Sequence, residues 1–145
     1  MRMTARPLRH LLKCDRGIAA LEFVFLAPAL LLLAFGIIVY SIYFTAVMGV
    51  RQAAGEGARA AQAGLSGTER AALAQARAHE VLDTYGTLLG GGAAPVVTTA
   101  PVGTGVFEVR VSYDMSASPI MRYGSFVPLP SPSVEATVTV TNGSY

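Results

Sequence analysis

The chain is poor in the residues from which small proteins build covalent staples and metal centres. A single cysteine, Cys14, among 145 residues excludes an intramolecular disulfide framework and a cysteine-based metal site. Its two histidines, His10 and His79, lie far apart, so a histidine zinc site would need carboxylates from unrelated segments. Tryptophan is absent. No basic stripe interleaved with aromatics occurs beyond the N-terminal tail, which leaves nucleic-acid binding without a basis. Charge is scarce as well: 14% of residues are Asp, Glu, Lys or Arg and 52% are hydrophobic, whereas an ordinary soluble domain is about 25% charged. That composition excludes disorder and argues against a wholly soluble protein. The length suits one modest domain, not two enzyme domains.

What charge there is has a strongly uneven distribution. Five of the eleven basic residues, Arg2, Arg6, Arg9, Lys13 and Arg16, fall in the first 16 positions, and from Phe23 to Val50 no charged residue occurs. A bilayer core of about 30 Å needs roughly 20 apolar helical residues, so this run predicts a transmembrane helix. Lys and Arg favour the cytoplasmic flank of a span. The N-terminus is therefore expected inside and everything after about Val50 exported, in the cytoplasmic membrane as a single-pass protein. A secretory signal peptide fits poorly, because its apolar core is about 7 to 15 residues followed by a small-residue cleavage site. Ala27-Pro28-Ala29 has the small-x-small form, but the apolar run continues well beyond Ala29 and Glu22 would lie inside the core. A lipoprotein signal is excluded by Cys14, which precedes the run.

The segment Asp15-Arg16-Gly17-Ile18-Ala19-Ala20-Leu21-Glu22-Phe23 carries the chemistry. A carboxylate at the centre of a membrane helix costs about 2.5–3.5 kcal/mol on insertion scales, and less toward the interface, so an intramembrane Glu marks a functional site by default. The plainer reading puts Glu22 among headgroups beside Arg16. The order of basic leader, glycine, four mostly apolar residues, Glu, aromatic and long apolar helix resembles the class III signal of type IV pilins and pseudopilins. That resemblance implies a prepilin peptidase cutting between Gly17 and Ile18, which leaves Glu22 and Phe23 as the fifth and sixth mature residues, for recognition and assembly. A glycine just ahead of the helix would keep the backbone extended and accessible to a membrane-embedded protease. Cleavage would create an amine at Ile18. Because positions i and i+4 share a helix face, Glu22 could approach that amine or a neighbouring subunit's, and such a pair would set the axial register of packed helices.

From Arg16 to Ala61 the sequence resembles the TadE-like family, minor pilins or pseudopilins of the tight-adherence (Tad/Flp) type IV pilus system. The resembling features are the G-x-x-x-x-E-F start, Pro28, Gly36, the aromatics Tyr40, Tyr43 and Phe44, and R-Q-A-A-x-E-G-A-R-A-A at Arg51 to Ala61. Val39-Tyr40-Ser41 departs from relatives that carry an acidic residue or glycine there. The implied partners are a prepilin peptidase, other pilins or pseudopilins, the pilus assembly platform and the lipid bilayer, with incorporation in an extracellular pilus. Pro28 removes a helix hydrogen bond to Val24, which membrane helices tolerate. Gly36, Gly49, Ala53, Gly57 and Ala61 are small residues, the later ones spaced by four, a pattern that lets helices approach closely.

The expected organisation is a leader over residues 1–17, a transmembrane helix over 18–50, a helix extension or linker over 51–64, and an exported head over 65–145. Ser66-Gly67-Thr68-Glu69 has the form of a capping box. Behind it Ala74, Ala78, Val81, Leu82, Tyr85 and Leu89 recur at helical spacing, and Gly90-Gly91-Gly92 ends the helix. The period then changes to two, at Phe107, Val109, Val111 and Tyr113 and again at Val134, Ala136, Val138 and Val140, predicting half-buried strands. Pro95 to Ala100 offers a shorter strand, and Pro119 to Ser133 a proline-rich loop with Ile120, Met121, Tyr123, Phe126 and Val127 available for packing or a partner. The predicted fold is α+β and pilin-like: a long N-terminal helix, then a helix and a small antiparallel sheet.

No catalytic constellation emerges, and neither a cofactor, a metal nor a small-molecule substrate is expected. Residues 1–17 carry five basic groups and one acid, a net +4, and residues 18–145 six basic groups and eight acids, a net −2. The overall charge of +2 is thus a topology signal. The alternatives are an uncleaved single-pass protein whose exported head binds an envelope partner, and a membrane-anchored enzyme, which the residue inventory disfavours.

Overall fold

The computed structural model describes residues 15–141, with side chains from residue 19 onward. The leader up to residue 14, including His10 and Cys14, lies outside the described residues. Helix α1 runs from Asp15 to Ala61 without interruption and contains Pro28. It continues through the predicted junction at Val50 because Arg51 to Ala61 is rich in alanine, the strongest helix former. Arg59 in its last turn complements the negative end of the helix dipole. By compactness the chain divides into two units, up to Ile37 and from Ile38 to Tyr145. The apolar run is therefore shared between them, with its last 13 residues belonging to the second.

In the second unit, α1 turns over a short connection into α2, Gly67–Tyr85. The Ser66 side chain accepts the Glu69 amide at 3.2 Å, and the Glu69 carboxylate accepts the Leu65 amide at 2.9 Å. The capping box is present, with its return bond one residue earlier than the usual cap position. Arg70 Nε donates to the Gly64 carbonyl at 2.9 Å, closing the turn. Gly49 faces Tyr85 and Leu89 while Gly57 faces Ala74 and Ala78, so the two helices run antiparallel.

Strands β1 (Val96–Gly103), β2 (Val106–Asp114) and β3 (Ser133–Thr141) form an antiparallel meander with β2 in the centre. Val109 pairs with Thr99 on one side and Val138 on the other. With period-two geometry this places Phe107, Val109, Val111 and Tyr113 on one face, and all four are buried. They pack with Ala74, Ala78, Val81 and Leu82 of α2 and with the second half of α1 in adjoining clusters. On the opposite face Arg110 meets Glu108 at 3.3 Å and Glu135 at 3.2 Å. The α+β architecture is the predicted one.

Three elements differ from expectation. The second helix closes at Tyr85 with Gly86 as its C-cap, ahead of Gly90, and a 3-10 helix, Gly86–Leu89, carries Leu89. Strand β1 extends to Gly103 instead of stopping near Ala100, since Pro101 lies on an edge strand where a missing amide costs no central ladder bond. The connection after Pro119 also contains a 3-10 helix, Pro119–Ser125, because Ile120 and Val127 are drawn into the core.

Candidate functional site

The N-terminal part of α1 is the candidate processing and assembly segment. Gly17 and Ile18 have helical backbone, and the helix already begins at Asp15. The extended glycine expected ahead of the helix is thus helical instead. Glu22 lies one turn beyond Ile18 on the same helix face, and its side chain, like that of Phe23, is exposed. From Leu21 to Ile38 the large apolar residues are between 49% and 79% exposed. Residues 19–38 rise about 30 Å as a helix, the thickness of a bilayer core. Among the described residues this is the one helix long and apolar enough to cross a membrane. A contiguous exposed apolar surface of this size is the kind that marks a membrane or protein interaction site.

The six small or helix-bending positions separate into two groups. Pro28 is exposed, and a side chain placed at Gly36 would meet nothing within 4 Å. Gly49, Ala53, Gly57 and Ala61 are buried in the chain's own second unit. At Gly57 a Cβ would come within 2.9 Å of the Ala74 carbonyl oxygen, 3.3 Å of Ala78 Cβ and 3.4 Å of Val109 Cγ1. Glycine here permits close backbone approach, as the four-residue spacing suggested, between α1 and α2 of one chain.

The segment Arg51 to Ala61 is this seam. Ala53, Ala54, Ala58 and Ala61 are fully buried along it, and polar residues lock its rim. Tyr85 Oη donates to Gln52 Oε1 at 2.7 Å. Glu56 pairs with Arg59 at 2.8 Å and approaches Arg77 at 3.7 Å, while Arg77 also pairs with Glu80 at 2.8 Å. Hydrogen bonding and charge from Glu80, with a further contribution from Glu56, hold the Arg77 guanidinium above its ordinary pKa. A shallow cavity of about 340 Å³ lies over this rim, lined by Gln52, Arg77, Glu80, Thr84, Tyr85 and Leu88. Its charged groups engage one another, which suits a structural clasp. His79 is exposed on α2, and no cluster of His, Cys, Asp and Glu able to hold a metal occurs among the described residues.

Thus a glycine, a carboxylate five residues later, an exposed apolar span and a small-residue seam with a Glu-Gly-Ala-Arg core follow one another on a single helix. Residues 17–59 match the TadE-like protein family. The TadE-like segment starts at Gly17 and stops within the last turn of α1, so it comprises the span and most of the seam and none of the sheet. The likeness is to TadE-like proteins over this segment, on a helix whose length and composition suit a membrane span. None of the curated proteins and none of the solved structures matches the chain.

The seam's partners were not read from sequence. Gln52 and Glu56 stood in a recognisable motif, but their contacts Tyr85 and Arg77 belong to the next helix. The burial of Val39, Ala46, Val50, Ala53, Ala54, Gly57, Ala58 and Ala61 has a helical period. Those spacings of three, four and seven were the available signal that the second half of the apolar run packs onto protein.

Proposed function

We propose that this chain is a minor pilin or pseudopilin of the Tad system, cut by a prepilin peptidase between Gly17 and Ile18 and assembled through its retained helix. The N-terminus lies in the cytoplasm, α1 crosses the cytoplasmic membrane, and the α+β head is exported. Its role is structural, with other pilins and the assembly platform as partners. The observation that supports this best is the stretch 19–38: bilayer-length, exposed, and carrying one carboxylate, Glu22, near its start. In a low-dielectric setting that carboxylate needs a counter-charge, and cleavage at Gly17 supplies an amine one turn away.

The mature N-terminus decides the matter. With the peptidase present, intact mass is expected to show loss of residues 1–17, leaving 128 residues, and Gly17→Ala is expected to retain the leader. A stable protein starting at Met1 in peptidase-positive cells would sink the pseudopilin reading. Glu22→Ala should be processed yet impair piliation, and normal piliation would remove the assembly role of Glu22. One observation favours the second reading, an uncleaved single-pass protein whose head binds an envelope partner: the backbone is helical through Gly17, so cleavage requires local unwinding.

A further inference from the structure

The proline-rich connection after β2 is stitched to α1 at one particular level. Tyr40 Oη donates a hydrogen bond to the Pro128 carbonyl, and Tyr40 is two residues beyond Ile38, the last of the exposed apolar run. Ile120 and Val127 anchor the connection in the core, while Phe126 between them and Pro128 remains 73% exposed. Phe126 is thus an exposed ring on a segment held in place by its neighbours. From Met115 to Ser133 the only charged residue is Arg122, and from Ile38 to Val50 there is none. Tyr40, Phe44 and Tyr43 form a ring cluster at the same level of α1, with centroids 6.2 Å and 5.9 Å apart. Aromatics with an apolar body, a polar tip and a neighbouring cation are the composition of a membrane-water interface.

We propose that the Phe126 loop is a second membrane contact, seated in the headgroup region of the leaflet that faces the head, with Phe126 entering the acyl boundary and Arg122 near the phosphates. The Tyr40–Pro128 bond fixes the loop to α1 just past the end of the exposed run. Lipid is the occupant because the loop is tied within two residues of the exposed run that the bilayer solvates. This rests on the reading of residues 19–38 as a membrane span.

The absence of tryptophan makes the test direct. Three full-length variants, Phe126→Trp, Leu31→Trp and Leu65→Trp, each carry one tryptophan and are reconstituted in phosphatidylcholine vesicles with and without bromine on the acyl chains. Leu65 is 94% exposed and follows the end of α1, about 30 Å along the helix from Tyr40. All three sites are surface positions, and unchanged circular dichroism verifies folding. Phe126→Trp is expected to emit blue-shifted and lose emission in brominated lipid, as Leu31→Trp does, while Leu65→Trp stays unquenched. Quenching at Leu31 without quenching at Phe126 overturns the loop proposal alone, and a blue shift there without quenching assigns Phe126 to a protein partner. Quenching at Leu65 equal to that at Phe126 overturns it as general adsorption. No quenching at Leu31 removes the span, and the loop contact falls with it.

Discussion

Gly55 and Gly57 sit two residues apart in α1, and the same substitution should move stability in opposite directions. In a helix interior, replacing Gly by Ala gains about 0.8–1.0 kcal/mol of propensity. At Gly55 the new methyl would meet nothing within 4 Å, so Gly55→Ala should keep that gain. At Gly57 the methyl would lie 2.9 Å from the Ala74 carbonyl oxygen, a backbone atom that cannot rotate aside. Relief requires α1 and α2 to separate, loosening Val50, Ala53, Ala54, Ala58 and Ala61, each no more than 1% exposed. Overpacking of this kind costs about 1–3 kcal/mol, which cancels or exceeds the propensity gain. The two variants should therefore differ by about 1–3 kcal/mol, and at about 4–8 °C per kcal/mol for a domain near this size their Tm values should separate by at least about 4 °C. The assay is thermal unfolding of the full chain in mild detergent, followed by circular dichroism. Equal stabilisation by both substitutions would refute the close seam.

Two further outcomes follow from single side chains. Tyr113 Oη accepts the Gly92 amide at 2.6 Å and donates to the Leu89 carbonyl at 3.0 Å, so Tyr113→Phe strands both groups. A loss of about 1–3 kcal/mol is expected in urea unfolding, and a change within error would show that water replaces the hydroxyl. The Asp114 carboxyl accepts the Ser116 amide at 2.8 Å, which holds it below the ordinary aspartate pKa. Since the folded value is the lower one, this contribution is present above the unfolded pKa of about 3.9 and fades as pH falls through the folded value. The stability gap between the parent and Asp114→Ala should be constant near neutrality and shrink in acid; a gap independent of pH would contradict the bond.

The head's elements were largely legible because their signals are local. Ser66 and Glu69 announce a helix start within four residues, and the alternation from Phe107 to Tyr113 needs no knowledge of its neighbours. The division of the apolar run at Ile38 was not legible by the same means. Phe23 to Val50 is uniformly uncharged, and hydropathy does not distinguish an exposed leucine from a valine buried against alanine. Likewise Gly90 to Gly92 read as a helix terminator. The structure gives them a second task, in which Gly90 adopts a φ of 87°, Ser118 donates to its carbonyl and Tyr113 is received at Gly92. Those partners are more than 20 residues away, beyond the reach of any periodicity. At the proposed cleavage position the residue types were visible while the backbone state was not, since α1 extends past Gly17 to Asp15.

Of the twenty buried hydrophobic residues described, seven come from Val39 to Ala61 of α1. A protease that severed the chain just after the uncharged run, at Arg51, would remove Val39, Ala46 and Val50 and leave the sheet with an open core. The sheet-bearing unit thus cannot be parted from the apolar run at that point with its core intact. A fragment intended for solution work must therefore begin before Val39 and carry about a dozen residues of the apolar run with it.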